Sequence, residues 1–148
     1  MPNRKVHDPV GGIAGAAYAG WRAYQRPATS ALFESLGGLG GGVVGSRIPD
    51  LLEPACWNHR RTAHSATVVG LIATFANNVE SAAEWCRSRA AILEARAQDQ
   101  GLQAVDQMAS AAAAILLYLV AGFLNGLVAG YISHLVLDGL TPASIPLA

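Results

Sequence analysis

The sequence predicts an all-α protein, an antiparallel bundle of about four helices that is transmembrane. Its 148 residues fit a single domain, 1–148. Apolar residues make up 52% and charged residues 14% of the chain, well below the roughly 25% charged residues of a typical soluble domain. No stretch alternates apolar and polar residues as a half-buried strand does. The low content of charged residues and the lack of an alternating pattern therefore favour helices that lie in a membrane.

The strongest membrane signal is the stretch 109–133, which contains no charged residue. It is longer than the roughly 20 apolar residues that a helix needs to cross a bilayer. The alternative is a central helix of a soluble protein, buried on every side, because small Ala and Gly residues suit tight packing in either solvent. This stretch belongs to the predicted fourth helix, which follows Gly101 and ends near Leu140.

Three further helices precede it. Asp8 and Pro9 resemble an N-cap and the first position of helix one, which runs to Pro27. The glycine-rich stretch 31–45 predicts helix two, and since it lacks the GK[ST] ending of a phosphate loop, its glycines predict close helix packing.

Helix three begins near His64 and ends in a charged, solvated stretch. Glu84 and Arg87 lie there at i,i+3 spacing, which favours a pair on the helix surface.

Several function classes are disfavoured by composition. Ten Lys and Arg balance ten Asp and Glu, so no basic excess is present to neutralise phosphates, and we expect no direct nucleic-acid partner. Cys56 and Cys86 show no CxxC spacing, which indicates a reducing compartment and packing roles ahead of metal ligation. The N-terminal residues lack an unbroken leucine-rich core, so we expect no cleavable signal.

The remaining polar residues converge in an antiparallel bundle, and they include all four histidines. The residues expected at one end are His7, Asp50, Glu53, His59, His64, His134 and Asp138. His134 and Asp138 are four apart and share one helix face. Imidazoles and carboxylates suit a divalent transition metal, zinc first and manganese second, with a position left for water. Each residue alone could instead be a hydrogen-bonded core side chain or a helix terminator, but burying so many polar groups without a ligand is costly.

The segments "IPDLLEP", "NHRRTAHS" and "GYISHLVLDGLTPASIPL" resemble the PD-x-D-H, HR-x-x-x-HS and GY-x-SH-x-x-x-D-x-x-TP blocks of the YdjM-like family. The resemblance covers residues 7–146, with a lengthening around 79–107. Members of this family are described as inner-membrane, metal-dependent hydrolases, and the family is associated with binding of the SOS repressor LexA. The chain departs from the family pattern at Leu52 and Glu53, where a second acidic residue and His are common, and at Ala63, where Thr is common. These departures bear on catalytic competence.

The resemblance implies a multi-pass protein of the inner (cytoplasmic) membrane with its site on the cytoplasmic side. It implies that the metal ligands are His7, Asp50, His59, His64, His134 and Asp138. The family is also distantly similar to zinc-dependent phospholipase C and P1-type nucleases, which implies phosphoester hydrolysis. In that reaction Asp50 or Glu53 would handle the proton of a metal-activated water.

Arg60, next to His59, is placed to hold an anionic substrate, and Arg61 beside it shares this role. The alternative is that both arginines contact the head groups of membrane lipid.

Two other functional classes stay open. In the first, the chain is a non-catalytic membrane interaction module whose metal is structural, with the charged stretch 80–106 binding a protein partner. In the second, less favoured because the polar residues gather at one end, it is a channel or transporter subunit. Small residues of helices two and four also offer a surface for a homo-oligomer. Five basic residues near each end leave the membrane orientation undetermined.

Overall fold

The computed structural model describes residues 4–52 and 66–140, and every element in these ranges is a helix. In chain order the elements are α1 (Arg4–Ala23), α2 (Ala28–Gly45), α3 (Ile48–Leu52), α4 (Ala66–Ala97) and α5 (Ala104–Gly139). The four long helices pack against one another, so the predicted all-α bundle is confirmed. The short helix α3 was not predicted; it follows α2 closely and lies against both α2 and α5.

Helix α1 begins one turn before the predicted start. The assignment of Asp8 as N-cap is wrong, because the helix begins at Arg4 and Pro9 lies inside it. Pro9 lacks the N–H that would bond to the Lys5 carbonyl, so the first turn of α1 keeps a carbonyl without its usual helical partner. The Asp8 carboxylate binds Arg47. As a consequence, His7 has a fixed position on the first turn of α1.

Helices α2 and α5 approach each other closely and run in the same direction. Three α5 glycines face three α2 residues in the same order along both helices: Gly122, Gly126 and Gly130 lie against Glu34, Gly38 and Gly42. A Cβ atom on any of these α5 glycines would overlap the backbone of α2. Only glycine permits this approach. The predicted packing role of the glycine-rich stretch is therefore confirmed.

Helix α4 lies along α5 in the antiparallel direction. Ala83 and Cys86 pack with Ala121, and Ala90 packs with Ala114 and Tyr118. Small side chains on both helices allow this contact, and the predicted third and fourth helices are confirmed within the described residues. In contrast, α4 contacts α1 and α2 through ion pairs between long charged side chains.

Among the described helices, α5 alone is long and apolar enough to cross a membrane, and one third of its most apolar window is buried inside the bundle. This supports one possible membrane span at the predicted stretch 109–133. That other helices of the chain also cross the membrane stays a prediction.

Candidate metal centre

Two histidines meet where the first turn of α1 lies beside the last turns of α5. His7 and His134 are 4% and 2% exposed, and their rings stack with centroids 4.1 Å apart. His134 continues the one-turn spacing of Gly126 and Gly130, so the stripe that faces α2 ends in an imidazole. The glycine packing thus places this ring against the C-terminal end of α2.

The hydrogen bond to α2 determines the tautomer of His134. Its Nδ1 lies 2.6 Å from the carbonyl oxygen of Ser46, which immediately follows α2 and has a carbonyl that the helix cannot pair. A carbonyl oxygen only accepts, so Nδ1–H is the donor, and in the neutral ring Nε2 carries the lone pair. Metal-binding histidines are commonly oriented in this way, with the second ring nitrogen donating to a backbone carbonyl.

Nε2 of His134 faces carboxylate oxygens. Nε2 lies 3.1 Å from Oδ2 of Asp138 and 3.6 Å from Oδ1 of Asp50. His7 Nε2 lies 3.6 Å from Oδ1 of the same Asp138 carboxylate. Oxygen and nitrogen lone pairs repel at such distances unless a proton or a cation lies between them. We name these four residues, His7, Asp50, His134 and Asp138, the His/Asp cluster.

The spacing of the cluster fits a metal ion. Ligand atoms of His7, His134 and Asp138 all lie within 4.8 Å of one another. Two ligands of a tetrahedral zinc ion at their usual bond lengths are about 3.4 Å apart, close to the 3.1 and 3.6 Å separations within the cluster. A shared proton, forming an imidazolium–carboxylate hydrogen bond, is the other arrangement that satisfies these atoms. Within the described residues, His7 Nδ1 has no hydrogen-bond partner.

Asp50 is held at the edge of the cluster by α3. The sequence predicted that Asp50 lies just beyond the second helix. The structure places it in the middle of the short helix that follows α2. The side chain is 35% exposed, so one side of the cluster is open in the described part of the chain.

Arg47 and Asp8 form an ion pair. Nε and Nη2 of Arg47 donate to the two carboxylate oxygens of Asp8 at 3.0 and 2.6 Å. This pair raises the pKa of Arg47, first through the hydrogen bond and then through the charge of Asp8, and it joins α1 to the α2–α3 connection.

The structure therefore brings together four of the residues that the sequence suggested. The other predicted ligands, His59 and His64, and the proposed Glu53 and Arg60 lie outside the described residues.

A second polar cluster was missed. We name it the charge network; it contains Arg22 and Arg26 from the end of α1 and the loop after it, Glu34 from α2, and Glu80, Glu84 and Arg87 from α4. Arg87 is at its centre and is 1% exposed, whereas the sequence placed it on a solvated helix surface. The predicted i,i+3 contact with Glu84 is present. The predicted exposure of Arg87 was wrong because its guanidinium binds Glu34, a buried residue that lies 53 residues earlier in the chain.

Arg87 binds three carboxylates. Its Nε donates to Glu34 at 2.8 Å, and its Nη1 lies 3.1 Å from Glu84 and 3.4 Å from Glu80. With its oxygen turned towards Arg87, the Asn125 amide accepts from Nη2 and donates to Glu80 at 3.2 Å.

The outer members pair in the same way, since Arg26 binds Glu84 at 2.8 Å and Arg22 binds Glu80. One sequence signal pointed to this network, the single charge of Glu34 within α2.

Comparison with known proteins found no match among protein-family models, curated proteins or solved structures.

Proposed function

We propose that the chain is a membrane-bound, metal-dependent hydrolase of phosphoester bonds and a relative of the YdjM-like family. The observation that carries the proposal is the geometry of the His/Asp cluster. His134 is oriented by Ser46, and its Nε2 faces Asp138 at 3.1 Å. A site of two imidazoles and one or two carboxylates suits zinc, with manganese as the second candidate.

The roles of the residues follow from their positions. His7, His134 and Asp138 would hold the ion, which when bound supplies a Lewis acid and a water of lowered pKa. Asp50 lies on the exposed edge of the cluster, where its carboxylate can accept the proton of that water. Glu53 is the alternative base and Arg60 the proposed contact for an anionic phosphate; both roles come from the sequence.

Membrane attachment is supported by α5 and by the apolar surface of α2. Leu32, Leu36 and Leu39 of α2 are half exposed or more, and contiguous exposed apolar side chains mark contact surfaces for lipid or protein. We propose a multi-pass arrangement in the inner membrane, with the His/Asp cluster on the cytoplasmic side. The cluster begins one residue after the uncharged stretch 109–133, a depth at which lipid head groups lie.

The competing function is a non-catalytic membrane module with a structural metal. The burial of both His7 and His134 favours it, because closed sites are typical of structural zinc. In that function the charged residues of α4 that remain exposed, together with the turn after α4, would bind a protein partner. A homo-oligomer stays compatible with either function.

Metal analysis followed by a phosphoester substrate screen tests the proposal. The purified protein is expected to carry roughly one zinc or manganese ion per chain and to hydrolyse a phosphoester. His134→Ala and Asp138→Ala should lose both the metal and the activity while keeping their helical circular dichroism. Asp106→Ala, at the other end of α5, is the matched control.

Equal metal content in the wild type and both site variants would falsify the metal role. Bound metal without hydrolysis of any phosphoester would leave the structural-metal module.

A further inference from the structure

An apolar groove leads away from the His/Asp cluster between α1 and α5. Its walls are two stripes with one-turn spacing, Val10, Ala14 and Tyr18 on α1 and Val128, Ile132 and Val136 on α5. Its volume is about 410 Å³, within the roughly 300–1,000 Å³ of small-molecule sites. Val10, Ile132 and Val136 are between 36% and 54% exposed, so the groove is open along its length.

The groove ends next to the His/Asp cluster, and none of the four cluster residues lines it. Because α1 and α5 are antiparallel, Val10 and Val136 lie together at one end of the groove. His7 is one turn from Val10 and shares its face of α1, whereas Asp138, two residues after Val136, lies on the other face of α5. A ligand that fills the groove therefore ends beside His7, on the first turn of α1.

The length of the groove indicates which kind of ligand fits it. From Val10 to Tyr18 the groove extends about 12 Å, at a rise of about 1.5 Å per residue. One leaflet of a bilayer has a hydrocarbon depth of about 15 Å, half of the roughly 30 Å core. A groove of this length, lined by apolar side chains except for Ser133 and Tyr18 and ending next to a polar cluster, matches one acyl chain with its head group at the cluster.

We infer that this groove binds one acyl chain of a membrane phospholipid whose phosphate lies at the His/Asp cluster. The inference rests on the proposed function for the fate of that phosphate, and it names the substrate class as a lipid phosphoester. The acyl chain would hold the phosphate beside the metal ligands, so binding energy from the apolar part of the substrate would orient its reacting part.

Photo-crosslinking tests the groove independently of catalysis. The probe is phosphatidylglycerol with a diazirine on one acyl chain, in phosphatidylcholine vesicles that contain the full chain. Crosslinks are expected on the groove walls. Ile132→Trp fills the groove and should lower this labelling by about tenfold, because each methylene left out of apolar contact costs a factor of about four in affinity.

Val120→Trp is the matched control, since Val120 is an exposed residue of the same helix outside the groove. It should label as the wild type does. Equal labelling of the groove walls in the wild type and Ile132→Trp would overturn the inference. Crosslinks that join the groove to a second copy or to another segment of the chain, in place of lipid, would overturn it also.

Hydrolysis assays separate this inference from the proposed function. Ile132→Trp should lower hydrolysis of the vesicle phospholipid by about tenfold and leave hydrolysis of soluble bis(p-nitrophenyl) phosphate, which has no acyl chain, unchanged. If the wild type hydrolyses neither substrate while the groove is still labelled, the proposed function fails and the lipid site stands. If Ile132→Trp changes neither labelling nor lipid hydrolysis, the groove fails and the hydrolase stands.

Discussion

The His/Asp cluster and the charge network each contain buried polar side chains, His7 and His134 in the first and Glu34 and Arg87 in the second, but they differ in how their members are paired. In the charge network each of three arginines lies against at least one of three glutamates. In the His/Asp cluster the lone pair of His134 faces two carboxylates. The first arrangement pairs its charges and leaves one buried oxygen, Glu34 Oε1, without a hydrogen bond within the described residues, whereas the second needs a proton or a cation.

The two clusters also connect different helices. The charge network joins α4 to α1 and α2, with which α4 has no close backbone contact in the described residues. The His/Asp cluster joins α1 and α3 to α5 at the other end of α2. A buried arginine that binds several carboxylates holds a structure together, whereas histidine nitrogens that face carboxylate oxygens mark a candidate site for a cation. We therefore expect substitutions in the first to affect folding and those in the second to affect ligand binding.

The largest effect on stability is expected from Arg87→Met. The change leaves Glu34, which is fully buried, without its cation, and breaking a buried ion pair costs about 3–5 kcal/mol in the free energy of unfolding. Chemical denaturation of the purified protein in detergent measures it. Arg89→Met, which removes an exposed arginine beside Trp85, is the matched control and should cost far less.

A double variant sharpens this result. Glu34→Met combined with Arg87→Met removes both buried charges, and Glu80 and Glu84 keep their contacts with Arg22 and Arg26. Replacing a whole buried pair by apolar side chains is often neutral, so most of the lost stability should return. A double variant as unstable as Arg87→Met alone would show that the pair does more than neutralise Glu34.

A smaller effect on stability is expected from Gly41→Ala, which changes the contact between α2 and α5. The added Cβ would overlap the Phe123 backbone of α5, and overpacking of this kind costs about 1–3 kcal/mol. Gly40→Ala is an adjacent control, because its Cβ would meet only a ring atom of Phe123 at 3.9 Å. Thermal unfolding should show a lower midpoint for Gly41→Ala alone. A similar loss in both variants would contradict the close α2–α5 packing.

The sequence predicted the parts of this structure that depend on local pattern. Apolar runs and Gly101 located the long helices, and the four-residue spacing of His134 and Asp138 placed both side chains on one face. Partners far apart in the chain were not predictable in this way. Nothing in the spacing joins Glu34 to Arg87, and the Ser46 contact of His134 is made by a backbone carbonyl, which residue identity does not reveal.

The smallest change in stability of the metal-free protein is expected from Asp138→Asn, a substitution in the His/Asp cluster. The carboxylate faces the lone pair of His134 at 3.1 Å, and an amide N–H in its place could donate to that lone pair. Without metal, the free energy of unfolding should therefore change by less than about 1 kcal/mol. Denaturation in the presence of a chelator measures this value.

Added zinc should then separate the wild type from Asp138→Asn. A ligand that binds only the folded protein stabilises it by about 2.7 kcal/mol at a concentration of 100 times its Kd. We expect this gain in the wild type and in Asp106→Asn, which changes an exposed carboxylate in the first turn of α5, and its loss in Asp138→Asn. If Asp138→Asn unfolds as readily as Arg87→Met without metal, the cluster is a structural ion pair like the charge network. If zinc stabilises all three proteins equally, the ion binds elsewhere.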